Sequence, residues 1–201
     1  MVLLALICTL DNPGSSKPVV IIKETDLSHV GVLKRGSYKE GLTFLVRETT
    51  RRVGFEERKI ITHENSKMFV YKQKNPNLCL YAICDNQDYS KYAGFACIKE
   101  FDNEINHIYK TNENLSSMTQ KDLNLKNDRI KALLVKYRNC DDIDKLETAN
   151  MKLEEIQGLV EENFTKLIKN ENIDQLLQES KDIKFKTKLY LKNTKKVGKC
   201  C

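Results

Sequence analysis

Seven cysteines and three histidines are the side chains of this sequence whose chemistry could build a catalytic or metal site. The histidines, His29, His63 and His107, stand in no nucleophile motif with a cysteine or serine. Five cysteines are scattered, with neither CxxC spacing nor a paired framework: Cys8, Cys79, Cys84, Cys97 and Cys140. Scattered thiols are typical of buried small side chains in a reducing compartment. We therefore expect no enzyme, no metal site and no cofactor.

The remaining thiols, Cys200 and Cys201, are adjacent and terminal. Adjacent cysteines do not easily bridge each other, and a chain end offers no core to bury them. They follow a basic segment, since residues 181–199 hold eight lysines against one acid, Asp182, within a chain of net charge +6. Such a tail predicts an anionic partner. Only two aromatic residues interleave with the lysines, so nucleic acid is disfavoured.

Turn-forming residues divide the chain into a strand-rich first part and a helical second part. All three prolines lie at or before Pro76, and six of the eight glycines lie at or before Gly94. The apolar stretch 1–10 has no basic start and no small-residue cleavage site after it, so it predicts a buried strand rather than a signal peptide. No run of eighteen apolar residues exists that could form a transmembrane helix.

The predicted elements give an α+β domain in which helices cover an antiparallel sheet. Five strands are expected, the last of them central: Leu3–Leu10, Val19–Lys23, Lys59–His63, Met68–Lys72 and Leu78–Cys84. Helices are expected at Tyr38–Val53, capped by Ser37 and ended by Gly54, and at Ala93–Tyr109. Asn112–Asn124 is predicted to be partly loop, and Asp128–Tyr137 is a short helix that either closes the domain or belongs to a linker.

The strongest periodic signal is a heptad pattern in the last third of the chain. Apolar and small residues alternate at spacings of three and four, in two blocks: Leu146, Ala149, Leu153, Ile156, Val160, Asn163, Leu167, and then Ile173, Leu176, Ser180, Ile183, Thr187, Tyr190, Thr194. The blocks join with one residue too few, which puts Lys169 or Asn170 on the seam. A helix whose seam holds so many small and polar side chains needs partner helices to be stable. A bundle with other proteins, a self-paired coiled coil and a helix folded back on its own domain all satisfy the pattern.

Two segments carry a resemblance to a known family. Residues 26–35 (DLSHVGVLKR) followed by 42–49 (LTFLVRET) are similar to the second strand and first helix of the longin-domain R-SNAREs. Residues 189–196 (LYLKNTKK), ending in Cys200-Cys201, are similar to the membrane-proximal end of that family's lipid-anchored Ykt type, which lacks a membrane span. Together with the order of elements and the heptad length, the chain resembles this type over nearly its whole length.

The resemblance implies a profilin-like longin domain over residues 1–137, with a five-stranded antiparallel sheet and helices on both faces. It implies a SNARE coiled-coil motif over 138–199 that joins three Q-SNARE helices in a four-helix bundle, and prenyl or acyl lipids on Cys200 and Cys201. Phe44 falls where the family has a longin-surface Phe that helps to hold the SNARE helix or a lipid in a closed form. The implied role is membrane fusion in vesicle transport, including ER–Golgi transport, in the cytoplasm and on the cytosolic face of Golgi, endosomal or vesicle membranes.

The chain departs from the family in two places. The central-layer Arg is absent, because Lys169 or Asn170 stands at that point, and lysine does not reproduce the planar fork of arginine. A non-fusogenic or inhibitory longin/coiled-coil adaptor is therefore the alternative function. The Caax box is also absent, so either further residues follow Cys201 or a terminal Cys-Cys is modified as in Rab proteins.

Overall fold

The computed structural model describes residues 2–139, apart from 13, 14, 16, 64 and 112–120, together with residues 159 and 161–167. The strands are β1 (Leu3–Leu10), β2 (Val19–Thr25), β3 (Arg58–His63), β4 (Ser66–Lys72), β5 (Leu78–Cys84) and β6 (Glu161–Asn163). The helices are α1 (Arg35–Thr50), α2 (Lys91–Thr111), α3 (Asp128–Lys136) and the single turn α4 (Phe164–Leu167).

The sheet is organised around β1 and β5, which are buried at every residue. The order is β2-β1-β5-β4-β3-β6, so β5 is central as predicted. β1 to β5 pair antiparallel throughout, and the five-stranded antiparallel sheet is confirmed. The sixth strand was not predicted, and it pairs parallel to β3.

Helices cover both faces of the sheet, as expected for a strand buried on both sides. On one face α1 contributes Leu42 and Val46 to a core that includes Tyr81. On the other face α2 and α3 contribute residues such as Phe101 and Ile130. The longin-type α+β fold is therefore confirmed.

The close approach of α2 to the sheet depends on Gly94. A Cβ placed on Gly94 would lie 2.5 Å from ring atoms of Phe69 in β4, well inside van der Waals contact. Phe69 also packs edge-on against Phe95, with ring centroids 5.4 Å apart. The absent side chain of Gly94 therefore sets the distance between the helix and the sheet.

The start of α1 differs from the prediction. Ser37 is not its N-cap, because the helix begins at Arg35, and the N-cap residue Lys34 makes no side-chain capping bond. A 3-10 turn at Val32–Lys34 runs directly into α1 and supplies the backbone geometry that a capping side chain would otherwise provide. At the other end the helix stops at Thr50, so Gly54 lies in the following turn.

The short helix α3 closes the domain. Its residues Ile130, Leu133 and Leu134 are buried, as predicted. The segment after it is tied to the core, because the hydroxyl of Tyr89 donates to the carbonyl of Tyr137 over 2.6 Å. Within the described residues, no helix has the length and apolar character needed to cross a bilayer.

Candidate functional site: the edge groove at β3

Strand β3 would be the exposed edge of the five-stranded sheet if no further segment paired with it. An unpaired edge presents a row of backbone N–H and C=O groups that is a template for another strand. Here the edge is covered by residues 159 and 161–167, which we call the edge segment. Its strand β6 aligns Glu161 with Ile60, Glu162 with Ile61 and Asn163 with Thr62. This is strand addition by the chain's own downstream region.

Apolar side chains of the edge segment reach both faces of the sheet. Phe164 is 3% exposed and packs into the core beneath α1, with its ring centroid 5.3 Å from that of His63 in an edge-on arrangement. Leu167 packs against the same core, whereas Leu159 packs against the core beneath α2 and α3. The segment therefore holds the β3 edge from both sides.

Two acidic side chains of the segment face two lysines of the sheet. The Nζ atom of Lys59 lies 3.1 Å from a carboxylate oxygen of Glu162 and 3.2 Å from one of Glu57. Burial lowers the pKa of Lys59, but the hydrogen bonds to Glu162 and Glu57 outweigh it and the net pKa is raised. The Nζ atom of Lys67 lies 3.4 Å from Glu161. The charges are thus complementary along the contact between β3 and the edge segment, which we call the edge groove.

The structure describes only two of the predicted seam residues. Asn163 is the last residue of β6, and Leu167 is the last residue of α4. The predicted coiled-coil helix over 138–199 is therefore not continuous in the free chain, because pairing with β3 holds 161–163 as a strand. The other seam positions, Lys169, Asn170, Cys200 and Cys201 lie outside the described residues, so their roles remain predictions.

Phe44 lies on α1, half-buried, and lines a cleft between α1 and the residues around β2. This cleft is at the opposite edge of the sheet from β3 and the edge segment. The role predicted for Phe44 in holding the SNARE helix or a lipid remains a prediction.

Sequence reasoning missed the edge segment, although one signal was present in the heptad pattern. Phe164 lies beside the seam, next to Asn163, and not on it. A coiled coil would leave that large aromatic ring at the margin of the helix contact, whereas the groove buries it. This off-seam aromatic residue was therefore the local signal that the segment packs against a surface other than a bundle seam.

The thiols in the described part of the chain are not arranged for nucleophilic chemistry. Cys8, Cys79, Cys84 and Cys97 are buried, as predicted, and Cys140 lies outside the described residues. Burial raises the pKa of Cys79 to about 12 and also raises that of Cys8, which suppresses the reactive thiolate. Among the same residues, no group of three or more His, Cys, Asp and Glu side chains is placed to hold a metal ion.

Comparison with known proteins gives relatives that match almost the entire chain. No family model matches it. The VAMP-like protein YKT61 of Arabidopsis thaliana is 26% identical over 200 residues, which cover 99% of this chain and 96% of the relative. The putative synaptobrevin homolog YKT6 of Dictyostelium discoideum is 26% identical over 190 residues, covering 94% and 93%. The synaptobrevin homolog YKT6 of Saccharomyces cerevisiae is 22% identical over 189 residues, again covering 94% and 93%.

These matches confirm the family resemblance that the sequence predicts. The relatives are named as a VAMP-like protein and as synaptobrevin homologs. The fold, an antiparallel sheet with helices on both faces, is the one expected of a longin domain. The chain is accordingly similar, along nearly its whole length, to the longin-domain R-SNAREs of the Ykt6 type.

Proposed function

We propose that this protein is a vesicular R-SNARE that zippers with three Q-SNARE helices to drive membrane fusion, and that its longin domain holds it inactive through the edge segment. The observation that carries the proposal is the burial of Phe164 in the core beneath α1 while 161–163 pair with β3. The same residues fall within the heptad block that would zipper into the bundle.

The two uses of this segment exclude each other. A strand rises about 3.3 Å per residue and bonds its backbone to a neighbouring strand, whereas a helix rises about 1.5 Å and bonds its backbone internally. Residues 161–163 cannot satisfy both patterns at once. The segment must leave β3 before it joins a helical bundle. We call its pairing with β3 closure, and the free energy of closure sets the fraction of molecules that can assemble.

Attachment to the membrane is assigned to the two terminal cysteines. One lipid chain gives only marginal membrane binding, whereas two chains, or one chain and a basic patch, hold firmly. Cys200 and Cys201 offer two attachment points, and the eight lysines of 181–199 would each add about 1 kcal/mol near anionic lipid. Zippering towards this anchor would draw two membranes together at the cytosolic face of Golgi, endosomal or vesicle membranes.

The Lys59–Glu162 ion pair offers a direct test of closure, because Glu162 does not lie on the predicted seam. Glu162→Lys should open the groove and speed assembly with a set of Qa, Qb and Qc helices roughly three- to tenfold. An ion pair this exposed is worth about 0–1 kcal/mol, and the reversal adds repulsion of the same order. Lys59→Glu combined with Glu162→Lys should bring the rate back towards the wild-type value, although Glu57 then lies beside a second carboxylate. The rate is measured as the gain of helical circular dichroism.

Glu155→Lys is the matched control. Glu155 occupies the same heptad position as Glu162, one heptad earlier, so both substitutions affect a helical bundle in the same way. It should leave the assembly rate unchanged. Equal acceleration by Glu155→Lys, or failure of the charge swap to slow assembly, would show that closure does not act through the edge groove.

The alternative is a longin adaptor that binds helices but does not drive fusion. It is favoured by one feature, the lysine or asparagine at the point where the family has its central Arg. Both functions require release of the edge segment, so the charge swap does not separate them. Mixing of lipids between vesicles carrying this chain and vesicles carrying Q-SNAREs separates them, because only the fusion protein supports it.

A further inference from the structure

The cleft that contains Phe44 has a strongly cationic lining. Its volume is about 640 Å³, and five basic residues line it against three acidic ones. Two of those acids are already engaged: Asp122 accepts two hydrogen bonds from the guanidinium of Arg47, at 2.6 and 2.7 Å, and Glu48 pairs with Arg52 at 2.7 Å. The cleft thus keeps an excess of positive charge around Lys17, Lys23 and Lys39.

Burial and the neighbouring cations both disfavour the charged form of Lys23 in this cleft. Its Nζ atom lies 3.1 Å from the hydroxyl of Thr43, a neutral partner. Burial lowers the pKa of Lys23; Asp122 opposes the shift, whereas the neighbouring cations Lys39 and Arg47 add to it. An anion in the cleft would relieve this repulsion.

An apolar pair lies at the start of the helix that lines the cleft. Val32 and Leu33, in the 3-10 turn before α1, are 73% and 61% exposed. The turn is held in place by Arg35, whose guanidinium donates to the carbonyls of Val30 and Ser28 over 2.9 and 3.1 Å. A soluble phosphate would not bind exposed apolar side chains. A lipid surface binds cations at its head groups and apolar groups just below them.

We propose that the α1–β2 cleft and the Val32–Leu33 turn form a membrane-contact face of the longin domain, with the cleft binding phosphate-bearing head groups of anionic lipids. The cleft lies at the β2 edge of the sheet, with the Val32–Leu33 turn at the start of the helix that lines it, whereas the edge segment lies at β3. The closed protein can therefore contact an anionic membrane without releasing the edge segment. The inference does not depend on closure and is tested separately from it.

The test uses the full chain carrying Cys200→Ser and Cys201→Ser, so that no lipid anchor contributes. Binding is measured by co-sedimentation with phosphatidylcholine vesicles prepared with or without phosphatidylserine. Each basic residue near an anionic surface contributes about fivefold in affinity, so loss of two lysines alone gives about thirtyfold. Lys17→Glu with Lys39→Glu also adds repulsion, so it should weaken binding to the anionic vesicles at least about thirtyfold. Both lysines are exposed, so the fold should survive, and thermal unfolding checks this.

Lys74→Glu with Lys99→Glu is the matched control. It makes the same change in net charge at exposed positions away from the cleft, in the β4–β5 turn and on α2. It should change binding by less than about twofold, because distant charges are screened. An equal loss of binding in both double variants would show that net charge alone explains the effect, and the proposal would be wrong.

Val32→Ser with Leu33→Ser separates a membrane face from a site for soluble phosphate. It should weaken binding to anionic vesicles about tenfold while every charge of the cleft is kept. Unchanged binding by this variant, together with loss in Lys17→Glu/Lys39→Glu, would mean that the cleft recognises phosphate alone, and the proposed membrane-contact face would be wrong.

Discussion

Replacement of Phe164 by alanine is the sharpest test of how the edge segment is held. Phe164 is 3% exposed in the closed chain and would return to water when the segment leaves β3. Full burial of a Phe side chain is worth about 1.5–3 kcal/mol. The segment can detach rather than leave a rigid cavity, so we expect a loss in this range. Phe164→Ala should therefore raise the opening equilibrium constant between about 12- and 150-fold.

Amide hydrogen exchange at β3 measures this constant directly, because the β3 amides that face β6 exchange when the segment opens. They should exchange faster in Phe164→Ala by the factor above. The amides of β5, at the centre of the sheet, exchange only on global unfolding, so they should stay better protected than those of β3 and their exchange should depend more steeply on urea concentration. Phe55→Ala is the matched control, since it removes the same side chain from a position that is 51% exposed.

Two results would refute this reasoning. Unchanged exchange at β3 would mean that Phe164 contributes no free energy to closure, whatever its burial. Equal protection and equal urea dependence at β3 and β5 would mean that β3 opens only when the whole domain unfolds, and that the edge segment is a part of the core rather than a releasable strand.

Three further outcomes are expected. Burial raises the pKa of Asp102, so the charged carboxylate destabilises the folded protein at pH 7. Asp102→Asn should therefore raise the free energy of unfolding at pH 7. Urea titrations should show that this gain in stability shrinks as the pH falls and the wild-type carboxyl becomes protonated. Cys200→Ser with Cys201→Ser should move the protein to the cytosolic fraction on cell fractionation, and stable retention on membranes would contradict lipid anchoring there. Arginine at the central layer, through Lys169→Arg or Asn170→Arg, should raise the melting temperature of the complex with Q helices in whichever variant occupies the layer.

The described sheet was largely predictable because its strands carry their own signals. β1 and β5 were expected with the bounds that the structure has, since continuous apolar runs closed by turn residues are typical of strands buried on both faces. The inward face of α3 followed from helical spacing in the same way. Each of these patterns is local, and the tertiary structure agrees with it.

The errors arise where a segment outside the predicted element, neighbouring or distant, decides the local structure. Serine favours the N-cap position, so Ser37 was expected to cap α1. The turn at Val32–Lys34, held by Arg35, starts the helix earlier. The heptad period shows which positions of 146–167 are apolar, but it does not show which surface is present to meet them. In the free chain that surface is the β3 edge, so 161–163 form a strand.

The edge segment satisfies two structures because each draws on a different subset of its residues. A helical bundle would bury the seam positions Val160, Asn163 and Leu167, whereas the groove uses the off-seam Glu161, Glu162 and Phe164 together with Leu159 and again Leu167. Substitutions at off-seam positions should therefore change closure without changing the bundle. Leu167 contributes to both, so Leu167→Ala should weaken closure and assembly together, and its assembly rate should change less than that of Phe164→Ala. An equal or greater acceleration by Leu167→Ala would show that the seam assignment at this position is wrong.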